Sequence, residues 1–247
     1  MCSPVRPSRA RALMSSYTPP PPTTKAAGKP RIVHCDISSA NIILDEKWEA
    51  KVAGFGLVTS ILADETRIST KVEGSFGYID PEFFPTGKLN EKVDVYAFGM
   101  LLLELITGCL PVNKIQPSDP ENLAVKVHIL SQQLQSVSNR VIEVTPLAAK
   151  PMLTEAVKDN NINVVYTNPM LGKFDKSEML RMVHCAAACV CYPERDRPQM
   201  SQILEALEGK LDVKVLTENI KTMFTAEHSP WDRKKLLGDF RSSGGSC

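Results

Sequence analysis

Between Val93 and Thr107 the sequence reads VDVYAFGMLLLELIT, and Tyr96, Phe98, Met100, Leu101, Leu102, Leu103, Leu105 and Ile106 leave it almost no polar face. A helix that is apolar all round has to be buried on all sides, in the core of a sizeable domain or in a membrane. Length argues against the membrane: a span needs about 20 apolar residues, and this run is interrupted by Gly99 and Glu104. Gly108 supplies a helix stop and Pro111 prevents continuation. The run therefore predicts a central core helix, and 247 residues are enough to build one sizeable domain around it. Charges balance to +1, which gives no basic field for nucleic acid and no acidic tail.

Other elements can be placed around that helix. Asp175 followed by Glu178 reads as a capping box, opening a helix through MLRMVHCAAACV that stops before Pro193. A third helix has Pro198 near its first turn, Met200, Ile203, Leu204 and Leu207 on one stripe, and Gly209 after its end. Ile42, Ile43 and Leu44, a turn at Asp45 to Lys47, and Glu49 to Val52 read as two short strands. Residues 57–80 are polar and predict a long loop, which in a compact domain is usually functional or disordered. Between 112 and 170, KPMLTEAVKD looks helical and NNINVVYTNP looks like a turn and connector.

The ends differ in composition. Residues 1–30 hold seven prolines, five basic residues and no acids, and are expected to be a disordered leader. Its arginines and serines fit a transit peptide and its prolines a ligand for proline-binding domains, against the plain alternative of a solvated leader. Residues 212–247 read as a C-terminal extension with a flexible end, SSGGSC. Seven cysteines without a secreted framework's spacing suit a reducing compartment. His184, Cys185, Cys189 and Cys191 invite a metal reading, but alanines surround them and no partner Cys pair exists, so buried thiols explain them better. Trp48 and Trp231 read as packing residues.

Four stretches then carry a resemblance: IVHCDISSANIILDEKWEAKVAGFGL, GSFGYIDPEFF, KVDVYAFGMLLLELITG and CYPERDRPQM. Their order and spacing resemble the large lobe of a protein kinase. The wording is similar to plant receptor-like serine/threonine kinases, and MLRMVHCAAACVCYPERDRPQMSQILEALEG is similar to the proline-rich, extensin-like group. The resemblance implies a mainly α fold of the α+β kinase class, a large-lobe domain over 31–211 with a short β-hairpin, and a phosphoryl-transfer ancestry using ATP and magnesium.

By position in the family's H-R-D-x-x-x-x-N loop, Asp36 is implied as the base for a substrate hydroxyl and Asn41 as a magnesium ligand. His34 is implied to pack on Phe55, Glu82 to pair with a buried Arg197, and Asp94 to prop the loop's backbone. Ser69, Thr70 and Ser75 fall in the segment where phosphorylation is implied, and Ser75 where a hydroxyl contacts the catalytic loop.

Departures from the pattern bear on activity. Cys35 replaces the arginine that would pair with a phosphate, and Ser38 replaces a lysine beside the transferred group. Gly54 replaces the carboxylate of D-F-G, leaving Asn41 at the magnesium position; Asp45 and Asp64 are nearby acids that nothing in the sequence places in the cleft. No G-x-G-x-x-G and no V-A-I-K lysine precede His34, so the small lobe is expected to be missing. The expected protein is a truncated, pseudokinase-like fragment with weak or absent ATP and magnesium binding. It would be cytoplasmic, reach a membrane only through a partner, and bind other kinases or receptor complexes but no nucleic acid. Ile42, Ile43, Leu44 and Phe55, uncovered, would favour self-association. The competing expectation is a serine/threonine kinase that is weakly active or completed by another chain.

Overall fold

The central element is α2 (Lys92–Thr107), in which all residues except Lys92, Glu104 and Leu105 are buried. The structure is a computed structural model and describes residues 30–62, 64–108, 110–111, 146–162, 165 and 172–217. Residues 1–29 of the expected leader, all of 112–145, part of the connector after Asn161, Trp231 and the terminal tail lie outside the described residues.

Both ends of α2 follow from local chemistry. The Asn90 side chain accepts a hydrogen bond from the Lys92 N–H at 2.8 Å, satisfying a donor that the helix itself cannot. At the other end Gly108 adopts a left-handed conformation (φ 71°) and its N–H returns to the Glu104 carbonyl at 2.7 Å.

The helix packs most extensively against α4 (Lys176–Cys189), which begins where Asp175 accepts from the Glu178 N–H at 2.9 Å. The two helices meet closely at Gly99, where an added Cβ would lie 2.5 Å from Cys189 Cβ and 2.8 Å from Val190 Cγ1. Around α4 gather α3 (Pro146–Asp159), α5 (Met200–Leu207) and α6 (Val213–Thr217), with Leu153, Ala156, Ile203, Ala206 and Leu216 in one core with α2. The His184 ring is buried among them, with Thr217 Oγ1 at 3.2 Å and Asn160 Oδ1 at 3.0 Å. Cys185, Cys189 and Cys191 are buried free thiols, and burial raises the pKa of each. Among the described residues no group of three His, Cys, Asp or Glu could hold a metal. No helix of the described residues is long and apolar enough to cross a membrane.

Among the described residues the strands form three antiparallel pairs rather than the single hairpin expected. β2 (Ile42–Leu44) pairs with β3 (Ala50–Val52) as the sequence predicts. β1 (Arg31–Val33) pairs with β4 (Thr59–Ile61), and β5 (Ile68–Ser69) pairs with β6 (Lys88–Leu89). The polar stretch 57–80 is therefore pinned at two strands and is not one continuous loop. Ile61 and Leu89, fully buried, form a second core with Val33, Phe83 and Val93, and α1 (Phe83–Thr86) contributes the phenylalanine. Trp48 is not a core residue: it turns the β2–β3 hairpin with φ 65° and is 56% exposed. β1 leads directly into residues 34–41, which lie across the first turn of α2.

Candidate functional site

The loop after β1 is held from beneath by one carboxylate. Asp94, buried in the first turn of α2, accepts from the backbone N–H groups of His34 (2.7 Å) and Cys35 (2.9 Å). Burial raises its pKa to about 6 while the two N–H groups pull it down. This grip holds Cys35 at φ 68°, a left-handed conformation unusual for a residue with a Cβ. The Cys35 thiol lies 3.6 Å from the Val33 carbonyl and is pushed up to about 12 by burial and the Asp94 charge, so it is no nucleophile. His34 Nε2 faces the Ala53 carbonyl at 2.9 Å, and Nδ1 accepts from the Asp36 N–H at 3.2 Å. That pattern fits a neutral ring, and burial lowers the pKa in the same sense. The ring stands 5.0 Å from that of Phe55.

Asp36 and Asn41 face each other across the loop. Asn41 Nδ2 donates to the Asp36 carbonyl and to its Oδ2, each at 2.8 Å. Asp36 Oδ1 accepts from the Ser75 N–H at 2.8 Å and from the Ser75 hydroxyl at 2.6 Å. The Ser38 hydroxyl, almost fully buried, lies 3.3 Å from Ser75 Oγ. Gly54 follows β3 with φ 79°, and a Cβ built on it would sit 2.6 Å from Asn41 Nδ2 and closer still to Cγ and Oδ1. Asp45 is committed to the hairpin, capping the N–H groups of Lys47 and Glu49 and pairing with Lys51 at 2.8 Å; Asp64 is exposed.

Position 54 offers a divalent cation no carboxylate. Magnesium takes octahedral oxygen ligands with at least one carboxylate beside the substrate phosphates. Here both Asp36 oxygens are engaged, and the Asn41 side chain occupies the space of a side chain at 54.

The segment from 57 to 80 is tied to this loop at several places. Ser69 lies opposite Lys88 in the β5–β6 register, and the Thr70 N–H donates to the Gly87 carbonyl at 3.0 Å; both hydroxyl residues are exposed. Arg67 pairs with Glu194, whose Oε1 also accepts from Asn90 Nδ2 at 3.0 Å. Tyr78 donates to Glu104 on α2 and stands 3.0 Å from the Ser39 hydroxyl.

The family model for the protein kinase domain matches residues 28–207, most of the chain. The chain belongs to the protein kinase family. It is 40% identical over 189 residues to the proline-rich receptor-like protein kinase PERK15 of Arabidopsis thaliana, covering 76% of this chain and 33% of that protein. It is 41% identical over 191 residues to PERK3 of the same plant, covering 77% of this chain and 33% of the relative. With PERK2 the match is 39% over 217 residues, 88% of this chain and 26% of the relative. The chain thus spans a third or less of the length of these curated relatives.

In this kinase chain Arg197 has two carboxylates. Its Nη1 and Nη2 both reach Asp80, the latter at 3.1 Å, and Nη2 also reaches Glu82 at 3.2 Å. Asp80, which the sequence reading did not single out, is the buried partner; Glu82 is the half-buried one and also accepts from the Glu194 N–H at 2.6 Å. The signal for Asp80 was present two residues before Glu82, in YIDPE, but nothing local shows which acid is buried. Glu82 is raised to about 7, chiefly by burial and also by Asp80, against the pull of Arg197.

A pH dependence follows. The folded protein keeps a proton on Glu82 that an unfolded chain loses near its ordinary value of 4.5, so the stabilisation is complete below that value and is lost as pH rises through about 7. Burial also raises Asp94, but its window ends near 6, and His34 and His184, lowered by burial, act in the opposite sense. Glu82→Gln is expected to flatten the decline in melting temperature between about pH 6 and about pH 7.5 relative to wild type. Parallel melting-temperature curves for the two proteins over that range would show that Glu82 is ionised throughout.

Proposed function

We propose that residues 31–211 are the large lobe of a degenerate receptor-like serine/threonine kinase domain, and that the chain works without phosphoryl transfer, as an interaction or regulatory protein. One observation carries the reading: Gly54 stands where the family places its magnesium carboxylate, with the Asn41 amide seated against it. Without that carboxylate the charge on a nucleotide's phosphates lacks its usual neutralisation. Ser38 supplies a buried hydroxyl where a lysine would add a cation. Partners on this reading are other kinases or receptor complexes, met in the cytoplasm. Ile43, Leu44 and Phe55, exposed by 56%, 39% and 42%, offer apolar surface for them or for self-association.

A second reading rests on a separate observation. The Ser75 hydroxyl lies 2.6 Å from Asp36 Oδ1, the reach at which a carboxylate acts as base toward a hydroxyl, so Asp36 retains base geometry. This favours a weakly active kinase, or one completed by another chain.

Thermal unfolding of the full chain with magnesium-ATP separates the two, with light scattering recorded in the same runs for self-association. A ligand at 100 times its dissociation constant stabilises by about 2.7 kcal/mol, or about 5–10 °C for a domain of this size. We expect no saturable shift at millimolar nucleotide, and concentration-dependent scattering. A saturating shift lost in Asn41→Ala, with phosphotransfer lost in Asp36→Asn, would establish the second reading; scattering independent of protein concentration would remove self-association.

A further inference from the structure

We infer that Asn41 plugs the cation position from inside: it fills the volume that a side chain at 54 would need and holds Asp36, so a carboxylate restored at 54 does not by itself make a metal site. This rests on the reading of Asp36, Asn41 and Gly54 as kinase cleft positions. Three observations carry it further than the missing carboxylate does. The Asn41 amide nitrogen is committed twice, to the Asp36 carbonyl and to its Oδ2, each at 2.8 Å. The space beside Gly54 is taken by that same amide, 2.6 Å from a Cβ at Nδ2. The Asn41 carbonyl meanwhile accepts from the Ala53 N–H at 2.8 Å, so the backbone of the plug itself is tied to the residue preceding Gly54.

Any side chain at 54 thus forces the Asn41 amide to rotate out and surrender both hydrogen bonds to Asp36, in a part-buried place where unmade hydrogen bonds are costly. The freed Asp36 Oδ2 loses its donor, while Oδ1 stays with Ser75. In the protein as it stands, Ser75, the loop residues Asp36 and Asn41, Ala53 just after β3 and position 54 form one hydrogen-bonded or close-packed unit. Gly54 and Asn41 are therefore coupled positions, and glycine at 54 is what lets the asparagine turn inward.

The test compares the cost of an aspartate at 54 in two backgrounds of the full chain. Gly54→Asp is made alone and together with Asn41→Gly, each against its own parent, so that the left-handed backbone strain at 54 cancels. Melting temperature is recorded with and without manganese chloride, and manganese binding is read as loss of the free-ion EPR signal. We expect Gly54→Asp alone to lower the melting temperature by about 5 °C or more, to bind no manganese at 1 mM, and to gain no stability from it. In the Asn41→Gly background the same aspartate should cost less than half as much. An aspartate equally costly in both backgrounds, failure to fold in both included, overturns the inference. So does manganese binding by the single variant. Nucleotide binding by the wild-type chain would instead overturn the non-catalytic reading, which these variants do not address.

Discussion

Arg197→Met is expected to lower the melting temperature by about 10 °C, more than any change at the candidate cleft. Asp80 is fully buried and Arg197 nearly so. The guanidinium holds Asp80 with two nitrogens, reaches Glu82 at 3.2 Å, donates Nε to the Cys191 carbonyl at 2.9 Å and lies 5.0 Å above the Tyr96 ring. Methionine fills much of the volume but leaves Asp80 as a buried charge whose remaining donor in this network is the Glu82 N–H at 2.9 Å. Breaking a buried pair from one side costs about 3–5 kcal/mol, and each kcal/mol moves the transition of a domain this size by about 2–4 °C. Arg197→Lys should recover little, because an ammonium cannot make the two-pronged contact. Circular dichroism on the variants checks this; a melting temperature within about 2 °C of wild type would mean that the fold does not depend on the Arg197–Asp80 pair.

Gly99→Leu should prevent folding altogether. A Cβ at 99 is already 2.5 Å from Cys189 Cβ and 3.3 Å from the Cys189 carbonyl carbon, so α2 and α4 would have to separate along their longest contact. Alanine there gains about 1 kcal/mol of helix propensity against overpacking of about 1–3 kcal/mol, a net cost small enough to measure. Leucine adds three further carbons to a closed interface, and the loss then approaches the whole stability of an ordinary domain, about 5–15 kcal/mol. Amide exchange across residues 92–107 is the readout. Native protection in Gly99→Leu would show that the helices can slide apart without losing the core.

What could be read from the sequence was what local chemistry decides. The α2 run, its Gly108 stop, the Asp175 cap and the β2–β3 hairpin each carry their signal within a few residues. The strands β4 and β5 carry none: Thr59–Ile61 and Ile68–Ser69 are two or three residues long, too short for an alternation, and exist because Arg31–Val33 and Lys88–Leu89 offer partners far along the chain. Trp48 misled because a large aromatic is normally a core residue, whereas here the hairpin turn puts it at a left-handed position outside both cores. At the candidate site the spacing of Asp36 and Asn41 placed both on one loop, but their mutual hydrogen bond depends on a side-chain rotation. The same holds for the amide lying against Gly54. Arg67 with Glu194 and Asn90 with Glu194 join residues that are neighbours only after the fold has closed.

That closure has a timing. Asp80 and Arg197 are separated by 117 positions, and Asn90 and Glu194 by 104. On a ribosome adding about 5–20 residues per second, Asp80 leaves the tunnel roughly 6–23 s before the arginine that neutralises it. Through that interval α2 is also without its main cover, since α4 begins only at Lys176. The nascent chain therefore carries an apolar helix and an unpaired acid for many seconds, long compared with the microseconds in which helices form. Its yield in a cell should depend on the chaperones that meet it during synthesis more than on the stability of the finished fold.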